Sequence, residues 1–300
     1  MSERKVWFIT GASRGLGRAI AEAALAAGHS VAASARSIRA LRSLQDAYAD
    51  RVLPLPLDVS DPAQVDSAVA SALDHFGHID VVVNNAGYAN IAPVEQIELD
   101  DIRAQVDAVF YGTVYVTRAL LPHLRARRSG HIIQIVSTGG RITVPGLAAY
   151  HAAKFAVEGF SGALRQEVEP LGITVTLAEP GAMRTDYAGS SMTVRSFDQD
   201  YDATVGATAH HLRSNTGREP IDPDRVASVV LDVAEMDAPP FHLVLGSTPV
   251  RYIAEAMQAT VDEDRRWAAL GRSVDFPAQP MVEQSRGSAG DQRSVVKPAS

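Results

Sequence analysis

The stretch that most constrains this chain is KVWFITGASRGLGRAIAEAALAAG, residues 5–28. A short apolar run ends at Gly11, Gly15 and Gly17 and passes directly into an alanine-rich segment of helical composition. Glycines let a strand turn sharply into a helix and let backbone approach a ligand closely. The helix N-terminus then offers unpaired N–H groups and a partial positive charge to a phosphate. The spacing does not match GxGxxG, so the reading rests on context, a strand before the turn and a helix after it. Gly11, Ser13, Arg14, Gly15, Leu16 and Gly17 are therefore expected to form a pyrophosphate cradle.

The same alternation continues through the first 250 residues. Strand candidates are 5–10, 29–35, 52–57, 79–84, 131–137, 173–178 and 241–246, with helices expected near 15–27, 37–49, 62–76, 100–127, 150–169 and 224–236. Seven strands alternating with helices predict an α/β fold, a Rossmann-like doubly wound sheet of about seven parallel strands with helices on both faces. Residues 182–222 break the rhythm with Gly, Ser, Asp and Pro around a weak helical patch near 203–214. A connection of that length in a compact domain is usually functional, and a substrate lid is expected there. The expected organisation is one domain over 1–275, with 276–300, poor in large apolar residues, as a flexible tail.

Composition narrows the function. A net charge of −7 argues against a broad nucleic-acid or anionic-membrane surface but leaves room for a small basic pocket. The absence of cysteine removes disulfides and thiolate chemistry. The N-terminal apolar run is too short for a signal peptide, and no run approaches the roughly 20 residues of a membrane span. A cytoplasmic protein acting on a small molecule is expected.

The second strand speaks to the dinucleotide. A carboxylate at its end would bind a ribose 2′-hydroxyl, but this one ends Ser34-Ala35-Arg36. Arginine suits a 2′-phosphate, and Arg14 could grip the same group from the glycine turn. Together they favour NADP(H) over NAD(H). Asp58 and Val59 follow the third strand, where Asp58 is a candidate for the adenine and Ser60 or Asp61 for the next helix cap. Strand four ends in NNAG: Asn84 and Asn85 are expected to bring amides to the ligand edge of the sheet, with Ala86 and Gly87 turning the chain away beneath them.

Ser137 ends strand five, and YHAAK follows, with Tyr150 and Lys154 four residues apart. Only three of the 28 basic residues are lysine, so lysine at 154 departs from the chain's habit. On a helix the two side chains share a face. A phenol titrates near 10, and a neighbouring cation draws that value toward neutrality. Tyr150 is the candidate acid–base group, Lys154 the cation, and Ser137 the hydroxyl that holds the carbonyl oxygen on its way to alkoxide.

With these pieces assembled, the chain resembles the short-chain dehydrogenase/reductase family over about residues 5–250. TGASRGLG, Asp58, NNAG, Ser137, Tyr150-x-x-x-Lys154 and PGAMRT at 180–185 stand in family order. The resemblance implies hydride transfer between a nicotinamide cofactor and a carbonyl or alcohol, with Tyr150, Ser137 and Lys154 catalytic and Pro180, Gly181 and Thr185 at the nicotinamide. It implies a homodimer or homotetramer built on the helices near 100–127 and 150–169. One position departs: Val109 stands where the family usually has an asparagine that supports a water between lysine and solvent. Altered proton delivery is expected, with Asp107 or Tyr111 as possible substitutes.

The remaining features are read conservatively. His210 and His211 point apart on a helix, without a carboxylate pattern, so no metal site is expected. His151 is taken as a helix-surface or lid contact, Arg125, Arg127 and Arg128 as a solvated helix end, and Tyr252 and Trp267 as core or subunit packing in a C-terminal helical region. Tyr187, Met183, Met192 and Phe197 make the lid apolar, suiting a moderately hydrophobic ketone, aldehyde or secondary alcohol. A catalytically silent NADP(H) sensor is the rival reading, resting on Val109 alone. A dehydratase or epimerase of an extended form of the fold is disfavoured by the glycine spacing.

Overall fold

The computed structural model describes residues 4–187 and 192–276. Seven strands, β1 (Val6–Ile9), β2 (Ser30–Ala35), β3 (Val52–Pro56), β4 (Val81–Asn84), β5 (Gly130–Ile135), β6 (Ile173–Pro180) and β7 (His242–Leu245), form one sheet in the order β3-β2-β1-β4-β5-β6-β7. Every pairing is parallel, with Trp7 opposite Val31 on one side and Val81 on the other. The order reverses between β1 and β4, where the crevice of such sheets binds ligands.

The strands are nearly continuous apolar runs because both faces are covered. Successive residues of β1 point to opposite faces. Trp7 and Ile9 join one core with Ile20 and Leu25 of α1 (Gly15–Ala26), Leu44 of α2 (Arg42–Tyr48) and Val230 of the later helix over 223–234. Val6 and Phe8 join the other with Val69 of α3 (Pro62–Phe76) and with Leu120 and Leu164 of the helices after β4 and β5. Helix α3 starts where the sequence allows: the Asp61 carboxylate accepts from the N–H groups of Ala63 and Gln64, so Asp61 and not Ser60 is the cap.

The single helix expected over 100–127 is divided. α4 (Leu99–Val106) and α5 (Gly112–Arg127) are joined by one π turn, Asp107–Tyr111, which contains Val109. Such turns often mark functional sites. α6 (Ala148–Val168) carries Tyr150 and Lys154. The 182–222 interval holds a π turn, Asp202–Gly206, and α7 (Ala207–Ser214); a bridge at Ile91–Val194 stitches it to the body, and one at Met183–Ile221 ties its two ends together. α8 (Pro223–Ala234) precedes β7, and α9 (Ser247–Arg272) gives the C-terminal helical region its bounds.

The chain divides into two units, Met1–Ala256 and Met257–Ser300. The second is described only over 257–276, the distal part of α9 and four following residues, so the expected tail lies outside the described residues except at Phe276. Trp267 and Tyr252 are exposed, which corrects the expectation of core packing. Among the described residues no helix is long and apolar enough to cross a membrane.

Candidate active site

The glycine turn adopts the geometry its sequence demands. Gly11 and Gly15 have φ of +67° and +57°, and a Cβ on Gly11 would meet the Ala86 backbone at 3.0 Å. Asn85 clasps the turn: its backbone N–H donates to Thr10 Oγ1 at 2.9 Å, and its amide donates to the carbonyls of Thr10 and Gly11. Asn84 does not reach the ligand edge as expected. It is buried and donates to Thr117 Oγ1 and Gln134 Oε1, because the last residue of a strand still points one side chain into a covered face. Helix α1 has no side-chain cap and no acid in its first turn, so its first N–H groups and its dipole are left for an anion.

Apart from Asn84, every predicted site residue except Gly17 lines one cleft of about 450 Å³ at the carboxyl edge of the sheet. Gly17 lies beneath the turn, where a Cβ would be 2.5 Å from the Gly11 carbonyl oxygen. Arg36 is exposed at the rim, with no hydrogen bond or ion pair among the described residues. Arg14 is engaged by the 182–222 segment, its Nη1 lying 3.0 Å from Asp186 Oδ2. Asp58 accepts from the N–H and hydroxyl of Ser60. Thr185 sits over the turn, its Cβ 3.6 Å from where a Cβ on Gly15 would stand. Unmet helix N–H groups, a glycine turn and an unpaired guanidinium fit the phosphates of a dinucleotide.

Ser137, Tyr150 and Lys154 converge beside this turn. The hydroxyls of Ser137 and Tyr187 hydrogen-bond the Tyr150 hydroxyl, and Lys154 Nζ lies 5.8 Å from the Tyr150 ring centre. Lys154 donates to the Ile135 carbonyl at 2.7 Å. Burial pushes the Tyr150 phenol above its ordinary value, opposed by its hydrogen bonds with Ser137 and then Tyr187. Burial is the first cause and the Lys154 ammonium is not among the others, so the depression expected from the cation does not set the direction of the phenol. Burial also pulls Lys154 down to about 8, against the attraction of Glu158.

His151 is buried rather than at the helix surface. Its Nδ1 lies 2.8 Å from the Gly139 carbonyl and its Nε2 accepts from Val144 N–H at 3.0 Å, fastening the segment after Ser137 to α6. Burial lowers its proton affinity, in keeping with a neutral ring between a donor and an acceptor. Val109 packs its Cγ2 3.3 Å from where a Cβ on Gly87 would lie, and its carbonyl accepts from Thr113 Oγ1. Asp107 and Tyr111 are exposed, Tyr111 against Tyr115, so neither substitutes for a buried amide.

The 182–222 segment supplies an apolar wall. Tyr187, Met192 and Phe197 cluster with Ile91, Leu147, Val205 and Tyr150, whereas Met183 packs with the α1–α8 core. Residues 188–191 of the expected lid lie outside the described residues. Tyr187, expected only as apolar surface, is a direct partner of Tyr150, and no spacing rule across a 37-residue gap could have shown it. His211, expected to be incidental, also lines the cleft.

The short chain dehydrogenase family model matches residues 5–195. Oxidoreductase BOA17 of Botryotinia fuckeliana is 51% identical over 267 residues, covering 89% of this chain and 97% of that one. A short-chain dehydrogenase from Streptomyces avermitilis superposes with a TM-score of 0.86 at 37% identity, covering 91% of this chain and 100% of the other. An alcohol dehydrogenase from the archaeon Thermococcus sibiricus, complexed with 5-hydroxy-NADP, gives a TM-score of 0.68 at 25% identity, over 81% and 96% of the two chains.

Proposed function

Because this chain belongs to the short-chain dehydrogenase family of oxidoreductases, we propose that it transfers a hydride between NADP(H) and a ketone, aldehyde or secondary alcohol of moderate hydrophobicity, with Tyr150 as general acid–base. The observation that carries this is the meeting of the Ser137, Tyr150 and Tyr187 hydroxyls in front of an apolar lid, one helical turn from Lys154. When bound, NADP(H) supplies or accepts the hydride at its nicotinamide.

The chain's own residues do the rest. Ser137 donates to the substrate oxygen and holds it against the Tyr150 hydroxyl, which gives its proton to the forming alkoxide. Lys154, charged below about 8, stabilises the phenolate left behind. Tyr187, Met192 and Val205 keep water from the reacting carbon. Arg36 and, once parted from Asp186, Arg14 would hold the 2′-phosphate. Exposed Tyr111 and Phe155, near α5 and on α6, are the apolar side chains a homodimer or homotetramer on those helices would cover.

The experiment titrates NADPH and NADH, then follows cofactor absorbance with aryl ketones such as acetophenone and with medium-chain aldehydes, for the parent and Tyr150→Phe. Turnover by the parent, lost in Tyr150→Phe, with NADPH preferred, is expected. Tight NADPH binding without turnover on any substrate would instead establish a sensor.

A further inference from the structure

Tyr150 and Lys154 are both buried, and a group that gives up a proton in each cycle must regain it from solvent. The Lys154 ammonium has three donors and one acceptor in hydrogen-bond reach, the Ile135 carbonyl, and no carboxylate forms an ion pair with it among the described residues. One further turn along α6 stands Glu158, whose side chain is 12% exposed. Its Oε1 is buried without a partner, against Gly140, where a Cβ would lie 3.1 Å from it. Its Oε2 lies 3.7 Å from His242 Nδ1.

His242 opens β7, and its side chain is 43% exposed. Its Nδ1 is 2.6 Å from Glu179 Oε1 and 2.9 Å from Arg141 Nη1, so the ring has a partner with that nitrogen protonated or bare. Glu179 is fully buried on β6 and held by Arg141 through both oxygens. Glu158, Glu179 and His242 offer ligand atoms within 4.8 Å of one another. Arg141 Nη1 already lies 3.1 Å from Glu179 Oε1 and 2.9 Å from His242 Nδ1, a cation on two of these three groups.

Given the proton-transfer role proposed above for Tyr150, we infer that Glu158 and His242 form the path by which protons pass between Lys154 and solvent, Glu158 acting as a positioning residue for the reaction. In the reducing direction the alkoxide takes the Tyr150 phenolic proton and the phenolate is restored from the Lys154 ammonium. The resulting amine takes a proton from the Glu158 carboxyl across one water. Glu158 is reprotonated by His242, which regains its proton from bulk water. One proton enters for each hydride delivered, and oxidation runs every transfer backward.

A water between Lys154 Nζ and Glu158 Oε1 would satisfy the unpartnered groups on both sides. Glu158 is pushed up to about 8, by burial first and by the like charge of Glu179 second, opposed by Arg141 on the segment after β5 and by Lys154. Burial pulls Lys154 down while it pushes Glu158 up, and this convergence lowers the cost of passing a proton between them. A carboxyl that served packing alone would be better replaced by an apolar side chain, since a buried charge without a full partner set is costly.

The test uses the full chain with NADPH and acetophenone, comparing the parent with Glu158→Gln, Glu158→Asp, His242→Ala and Tyr150→Phe in dilute buffer and with added imidazole. Expected for Glu158→Gln is about a tenfold loss of kcat, an unchanged Kd for NADPH that reports an intact fold, loss of the group titrating near 8 from the pH profile, and recovery on adding imidazole. Glu158→Asp keeps most of the rate, and His242→Ala loses less than Glu158→Gln and is also restored by imidazole. Parent-like kcat and pH profile in Glu158→Gln would overturn the path. So would a loss that neither imidazole nor aspartate restores. A parent that binds NADPH and turns over no carbonyl would overturn the proposed function, and the path with it.

Discussion

Replacing Gly17 by alanine probes the glycine turn at its tightest point. The added methyl would lie 2.3 Å from Asn85 Nδ2 and 2.5 Å from the Gly11 carbonyl oxygen. The oxygen is backbone, and the amide is tied down by hydrogen bonds to the Thr10 and Gly11 carbonyls at 3.0 and 3.2 Å. Helix propensity by itself favours alanine here by about 1 kcal/mol. Opposing it are overpacking strain of about 1–3 kcal/mol and the two Asn85 hydrogen bonds, about 1 kcal/mol each. The balance is a net loss of about 2–4 kcal/mol, on the order of 10 °C in Tm for a unit of this size. Because the turn itself must move, NADPH affinity should fall at least about tenfold, the equivalent of about 1.4 kcal/mol. Thermal melts, urea titrations and NADPH binding read both effects. Asn85→Ala removes only the amide contact, so the double variant should stay destabilised through Gly11. An unchanged or raised Tm with parent affinity for NADPH, or full recovery in the double variant, would refute the reasoning.

Other outcomes follow from the same geometry. Arg36→Ala should weaken NADPH binding about tenfold or more and leave NADH binding nearly unchanged, since a guanidinium–phosphate contact contributes about 1.5–3 kcal/mol; parallel titrations measure it. Tyr187→Phe removes a hydrogen bond that lowers the Tyr150 phenol, so the alkaline rise in alcohol oxidation should move to higher pH. His131 is buried against Thr176 and lowered to about 4, by burial first and by the nearby Lys5 charge second. A depressed histidine supports the fold fully above its unfolded value near 6.5 and loses that support as pH falls through 4. Urea midpoints should therefore drop between those values, by about 3 kcal/mol for this group, and His131→Gln should flatten the drop.

How much was legible beforehand varies with the reach of the interaction. The βα alternation, the glycine turn and the order of Ser137, Tyr150 and Lys154 could be read because each rests on a short-range rule: strand period, helix spacing, or a φ that only glycine readily adopts. The same helix spacing reaches Glu158, four residues beyond Lys154, yet nothing local distinguishes it from the solvent-facing acids of the chain's other helices. Asn84 and Asn85 look alike in NNAG, and only the placement of β5 and α5 beside β4 decides that one is buried on Gln134 and Thr117 while the other holds the glycine turn.

By itself, then, the chain's sequence determined a parallel doubly wound sheet, a glycine turn at its edge and a tyrosine–lysine pair on one helix face. Tertiary structure alone decided the electrostatics around that pair. Arg14 meets Asp186 across 172 residues, Tyr187 reaches Tyr150 from the segment after β6, and Glu179 and His242 come beside Glu158 only because β6 and β7 are neighbours. Proton affinity depends on how much water a group loses and which charges surround it, and both are properties of the packed sheet rather than of any stretch of chain.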